Sequence, residues 1–142
     1  MRSLVVDASA AVALATLARV PPGLGNFDCF APPLMWSEAL SAIAEAVLRG
    51  VVPATALDEA VHRLESLPIG VVTADSAHRR LSLDLARSLG WAKTYDAEYL
   101  AVAQSLGCPL LTVDARLTRG AGHIVEILGP DALSSGGRDA LI

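Results

Sequence analysis

Cysteine, histidine and lysine are scarce in this chain, and each scarcity removes a class of chemistry. The two cysteines, Cys29 and Cys108, stand far apart with no C-x-x-C spacing and no histidine beside them. Neither a zinc site nor a disulfide framework is supported, and both read as small core residues. His62, His78 and His123 are scattered, which weighs against a zinc enzyme or a serine hydrolase and favours plain surface or helix-face histidines. Long apolar runs are missing too. Although 53% of the residues are hydrophobic, they are mostly Ala, Val and Leu mixed with polar residues, and no stretch approaches the roughly 20 apolar residues that span a bilayer. Asp7 interrupts the first apolar run soon after Arg2, so the layout of a secretory leader is absent. The expectation is a soluble cytoplasmic protein without a membrane anchor.

Positive charge is also in deficit. The net charge of −4 argues at first against a nucleic-acid partner, since phosphate backbones attract Lys and Arg. Setting aside the four acids singled out below leaves eleven carboxylates against eleven cations, so the acidity is local. Lys93 is the one lysine; the other cations are Arg, whose planar donor fork suits phosphate, although codon bias produces the same excess.

What is present is a chain of 142 residues, the size of one domain with its own core. Leu4 to Val6 reads as a buried parallel strand that stops at Asp7, followed by an Ala-rich helix from Ala8 to Ala18. After a Pro/Gly loop, Phe27 to Ala31 reads as a second strand closed by Pro32-Pro33. A long helix follows, with Trp36, Leu40, Ile43 and Val47 as its apolar stripe and Gly50 at its end. Further helices are expected from Pro53 to about Leu67, from Asp75 to Leu89 and from Asp96 to Leu106, with Gly90 and Gly107 as stops. Strands are expected at Ile69 to Thr73, Leu110 to Val113 and His123 to Ile127, with a helical turn at Ala115 to Thr118. The alternation implies an α/β fold of three layers, α/β/α, around a parallel five-stranded sheet. No repeat or second domain is visible. The reading is a single domain over 1–142, with residues from about 129 onward, including Ser134-Ser135-Gly136-Gly137, as a mobile tail.

The placement of acids is the informative pattern. The strands Leu4 to Val6 and Leu110 to Val113 both end in aspartate, Asp7 and Asp114, at the edge where open α/β sheets bind ligands. Glu38 lies in the first turns of one helix, and Asp96 opens another. Four carboxylates converging in one cleft repel one another and raise some pKa values, unless a hard divalent cation such as Mg²⁺ or Mn²⁺ joins them. Such ions activate water and orient phosphodiesters. Taken singly, Asp7 and Asp96 also suit helix caps, and Glu38 shares a face with Ser41 and Glu45 as on a solvated helix surface. Asp114 is the strongest single case, because it ends a buried strand. The conjunction of all four favours a site.

These segments resemble the PIN domain, and in particular the VapC-like toxins of bacterial and archaeal toxin–antitoxin pairs, over nearly the whole chain. Val5-Val6-Asp7-Ala8-Ser9-Ala10 is similar to the first motif, with Asp7 as metal ligand and Ser9 as a nearby hydroxyl. Trp36-Ser37-Glu38-Ala39-Leu40 resembles the second and carries its glutamate, with Trp36 where smaller or aliphatic residues are common. The run from Thr94 to Ala103 resembles the third, with Asp96 as its acid. Leu110-Leu111-Thr112-Val113-Asp114-Ala115-Arg116-Leu117 resembles the fourth, where Thr112 and Asp114 match a T-x-D element. The resemblance implies a magnesium- or manganese-dependent endoribonuclease, usually homodimeric and held inactive by an antitoxin. In that reading Asp7, Asp96, Asp114 and Glu38 form the metal site and Ser9 and Thr112 support it. Lys93, Arg116 and Arg119, the cations nearest in sequence to the acids, are candidates for RNA phosphate contacts. Three rivals stand beside it: a non-catalytic binding module of the same fold, a receiver-type phosphoacceptor domain, and a DNA-directed nuclease. The receiver needs an acceptor Asp at the end of the third strand and a late Lys, where this chain offers Thr73, Asp75 and only Lys93. A DNA-directed nuclease differs mainly in surface loops, and this chain has no evident insertion to handle a duplex.

Overall fold

A computed structural model describes residues 1–134. Five parallel strands form one sheet in the order β3-β2-β1-β4-β5, with β1 at Arg2–Val6, β2 at Phe27–Ala31, β3 at Ile69–Val71, β4 at Leu110–Leu111 and β5 at Ile127–Leu128. Six α-helices connect and flank them: α1 Ala8–Ala15, α2 Leu34–Leu48, α3 Leu57–Glu65, α4 Ser76–Leu89, α5 Tyr95–Leu106 and α6 Ala115–Ala121. The helices α1, α2 and α3 pack on one another, as do α4 and α5, with α5 against β1 and β4. The result is the expected three-layer α/β/α architecture. No described helix is long and apolar enough to cross a membrane.

The strand β1 is central because Leu4, Val5 and Val6 have no exposed surface and need neighbours on both edges. It pairs Leu4 with Cys29 on one side and Val5 with Leu110 on the other. The connection from β1 leads to β2 on one side, whereas β4 returns on the other, so the crevice at the carboxyl ends of β1 and β4 is the topological switch point of the sheet. The same order places the third strand at an edge. A receiver-type domain has its third strand in the middle of the sheet, next to the first, and that rival falls on topology. Helix ends follow simple chemistry: Gly90 and Gly107 adopt positive φ of 71° and 61° as C-caps of α4 and α5.

Several boundaries differ from the sequence reading. The helix α1 ends at Ala15, not Ala18, where the Thr16 hydroxyl donates to the Ala13 carbonyl. The segment from Pro53 begins as a 3₁₀ turn, Ala54–Ala56, before α3. The third strand stops at Val71 and the fourth at Leu111. The fifth lies at Ile127–Leu128, because the Ile124 and Val125 amides turn back onto the Ala121 carbonyl and keep 122–125 in a turn. The helix near Ala115 runs on to Ala121.

The apolar face of α2 is also rotated. Met35, Ala39 and Ile43 are buried, while Leu40 is 43% exposed and Trp36 only partly covered. Ala10, Ala11 and Ala15 line the buried side of α1 with Leu14, and α2 packs against that helix.

Part of the segment expected as a tail is built in. Pro130–Leu133 forms a 3₁₀ turn and Leu133 is fully buried. Gly23 packs so closely that a Cβ there would lie 2.5 Å from the Leu133 carbonyl oxygen. Ser135, Gly136 and Gly137 lie outside the described residues. Leu133→Ala is expected to destabilise the protein by about 2–5 kcal/mol, read from urea unfolding; an unchanged midpoint shows that this turn is not part of the core.

Candidate active site

The carboxylate of Asp7 is the most enclosed acid among the described residues, at 6% exposed. Its Oδ1 caps α1 by accepting from the Ala10 amide at 2.8 Å, and it also accepts from the Ser9 hydroxyl at 2.7 Å. The other oxygen, Oδ2, accepts from Thr112 Oγ1 across the switch point. Each hydroxyl has one proton, and both protons go to Asp7, so the 3.2 Å approach of Ser9 and Thr112 is a contact of two acceptors. Those acceptors are used as well. Ser9 Oγ receives the Val113 amide at 3.2 Å, and Thr112 Oγ1 receives the Asp114 amide at 3.0 Å. Ser9 and Thr112 therefore tie the β1 and β4 ends together through one carboxylate.

Asp114 caps α6, accepting from the amides of Arg116 at 2.9 Å and Leu117 at 3.4 Å. Asp96 sits in the first turn of α5 but makes no cap, since Thr94 holds the N-cap position without a side-chain bond. Arg116 Nη2 reaches both, at 3.3 Å from Asp96 and 3.5 Å from Asp114. The arginine side chain is 76% exposed, so this pair of contacts is weak and easily exchanged. Cap and site roles are thus not alternatives: Asp7 and Asp114 are both caps that face the switch point.

Glu38 departs from the solvated surface that its helix neighbours suggest. It is half-buried, and the hydroxyl of Tyr99, itself almost wholly buried, donates to Glu38 Oε1 at 2.6 Å. Tyr99 was not singled out in the sequence, although its position three residues after Asp96 puts both on one face of α5. Burial and the Glu38 charge keep its phenol firmly protonated. A fifth acid, Glu98, also went unnoticed; burial and the charge of Glu38 raise its pKa.

Burial raises the pKa of Asp7, opposed by its hydrogen bonds, with a smaller push from Asp96. Glu38 is raised by burial, against the pull of Tyr99, and by the charges of Asp96 and Asp7. Asp96 is raised by burial and by Asp114, against the pull of Arg116. The four acids are close enough to repel one another, and Asp96 is at the centre of that network. Among the described residues, however, no three acid, histidine or cysteine side chains stand close enough to clasp one ion as they are placed. The reason is visible in the bonds above: Arg116 lies between Asp96 and Asp114, Tyr99 holds Glu38, and Asp7 is turned onto its hydroxyls.

A cleft of about 580 Å³ opens beside these groups, lined by Glu38, Trp91, Lys93, Tyr95, Asp96 and Arg116 among others. A second, of about 410 Å³, lies on the other side of the Thr112 to Ala115 turn and includes Arg119. The three candidate cations are thus divided, two beside the acids and one beyond. The scattered cysteines and histidines take no part; burial pushes the Cys29 thiol up to about 11.

The raised carboxyls make a signed prediction. A folded-state pKa above the unfolded value means that stability is full at low pH and is lost as pH rises through the folded pKa. Removing one such charge should therefore help more at higher pH. The stability of Asp7→Asn relative to the parent chain, both free of divalent cations, should grow from about pH 4 to about pH 7, as read from thermal midpoints. A gap that is flat, or that favours the parent more strongly at pH 7, contradicts the stated charge burden.

The PIN domain pattern matches residues 4–122. The crystal structure of PAE2754 from Pyrobaculum aerophilum is similar at 25% identity, with 94% of each chain covered and a TM-score of 0.68. VapBC-5 from Mycobacterium tuberculosis, a member of the VapBC family of toxin–antitoxin systems, shares the fold at 18% identity, covering 91% of this chain and 99% of that one with a TM-score of 0.59. No curated protein sequence matches significantly. With more than half its length matched, and with a three-layer fold that gathers Asp7, Glu38, Asp96 and Asp114 at the switch point, the chain belongs to the PIN domain family.

Proposed function

We propose that the chain is a divalent-metal-dependent endoribonuclease, the toxin of a VapBC-type toxin–antitoxin pair. The observation that carries the reading is the placement of four carboxylates from four separate segments around the crevice of the sheet, where burial and neighbouring acids raise the pKa values of Asp7, Glu38 and Asp96. Buried and half-buried like charges are costly, and a fold that assembles them has a use for a cation.

The donors fit that use. All are carboxylate oxygens, which suit Mg²⁺ or Mn²⁺ better than zinc, and the one protein cation between two of them, Arg116, is loosely held. Asp7, Asp96 and Asp114 would hold the ion, with Glu38 completing the set or orienting the attacking water. Such an ion, when bound, acidifies water and stabilises charge on the leaving oxygen. The chain's own contributions are positional. Ser9, Thr112 and the Ala10 amide fix the Asp7 carboxylate, and Tyr99 fixes one oxygen of Glu38 while leaving the other free. Lys93 and Arg116 stand in the cleft where a phosphate backbone would lie, and Arg119 stands beyond the Asp114 turn. The likeness to a VapBC family structure supports an antitoxin as regulator; a homodimer acting on RNA in the cytoplasm completes the proposal.

Asp7→Asn and Asp96→Asn should each remain folded and lose cleavage of a mixed RNA pool by at least a hundredfold, an effect of about 2.7 kcal/mol or more. Chelation should abolish cutting by the parent protein, and Mg²⁺ or Mn²⁺ should restore it; full activity in either variant sinks the assignment. Arg116→Ala and Arg119→Ala should each weaken RNA binding and lower the slope of log affinity against log salt by about one. An unchanged slope removes that arginine from the RNA path.

A further inference from the structure

Tyr95 is the only exposed aromatic among the described residues. At 54% exposure its ring stands at the first position of α5, next to Asp96, and lines the same cleft as Glu38, Lys93 and Arg116. The other aromatics are all accounted for by packing. Phe27, Trp36 and Trp91 lie against the core, Tyr99 is within it, and Phe30 is shielded beside Gly70. An isolated exposed apolar side chain needs no explanation. A solitary exposed ring inside a charged cleft, adjacent to a candidate ligand, does.

The support under it is rigid. The following residues of α5, Ala97 and Tyr99 to Ala103, are buried, so the helix start cannot drift. Trp91 lines the same cleft and packs against the hydrophobic core, with Gly120 of α6 beside its indole. The cleft therefore combines a fixed wall, two cations, two acids and one free ring. Its volume of about 580 Å³ falls within the ~300–1,000 Å³ of small-ligand sites.

We infer that Tyr95 is a stacking platform for one nucleobase of single-stranded RNA, next to the phosphate presented to Asp96, with Lys93 and Arg116 on the adjoining backbone. The inference rests on the nuclease reading for its ligand, but on the exposure and place of Tyr95 for its geometry. Every base has a π-face, so stacking tolerates sequence, and larger purine faces gain most. A base stacked on a protein ring has left its neighbours in the strand, so the site selects unpaired segments over duplex. The phenol oxygen has no role here. Phenylalanine should serve, whereas leucine, apolar but without a π-face, should not.

The test uses Asp7→Asn protein, which should bind without cutting, and a single-stranded oligoribonucleotide carrying 2-aminopurine at successive positions. The platform predicts fluorescence quenching at one position, retained when Tyr95→Phe is added and lost with Tyr95→Leu or Tyr95→Ala. Affinity should fall by about 5- to 150-fold for Tyr95→Ala, the range implied by a base–aromatic stack of about 1–3 kcal/mol. In the otherwise unmodified enzyme, the same substitution should raise KM and leave kcat nearly unchanged. Quenching and affinity preserved in both Tyr95→Leu and Tyr95→Ala overturn the inference, as does the absence of quenching at every position. Failure of the parent protein to cut any RNA, with quenching still lost in Tyr95→Ala, overturns the nuclease reading and leaves the platform standing.

Discussion

A single enclosed carboxylate organises this molecule. Asp7 ends the central strand, and burying its charge is tolerable only because three donors converge on it. Those donors are not local decoration. One opens α1, one belongs to the same turn, and the third comes from the strand on the opposite side of the switch point, more than a hundred residues later. Satisfying Asp7 thus requires β1 and β4 to be adjacent and in register, and that adjacency creates the crevice.

The remaining acids extend the same logic outward, from enclosed to exposed. Each has a partner that restrains it without cancelling it: the Tyr99 hydroxyl for Glu38, the α6 amides for Asp114, and Arg116 shared between Asp96 and Asp114. Hydrogen bonds hold the inner groups in fixed positions, whereas the outer pair is met by a solvent-exposed guanidinium that can leave. The crevice is stiff at its base and adaptable at its mouth, a gradient suited to the RNA strand proposed to enter it.

Much of this was legible in the residues because it rests on local chemistry. A short buried strand that stops at aspartate, a glycine after a helical stripe and a proline pair after a strand each have one strong reading, and β2 and the glycine caps of α4 and α5 lie where those signals fall. The parallel sheet followed from the alternation of elements. What escaped depends on tertiary partners. The face of α2 was assigned to its largest apolar residues, yet the packed helix buries Met35 and Ala39 beside Ile43 and leaves Leu40 exposed. Glu38 looked solvated for the same reason, because nothing near it in sequence announces the tyrosine from α5. Tyr99 and Glu98 were in plain view inside a recognised segment, but helix periodicity alone does not say which neighbour they meet. The fifth strand was displaced because a two-residue edge strand is too short to have a pattern.

The order of the strands has a consequence for the chain while it is being made. The first strand of the sheet in chain order, β1, occupies the middle of the finished sheet, and its partner on one side begins only at Leu110. Until that partner has left the ribosome, Asp7 lacks Thr112 and the crevice has only one wall. Long-range pairings of this kind form late, so a nascent chain carries the four acids without the geometry that gathers them. A protein whose proposed target is RNA thereby leaves the ribosome with its crevice open on one side until β4 is in place.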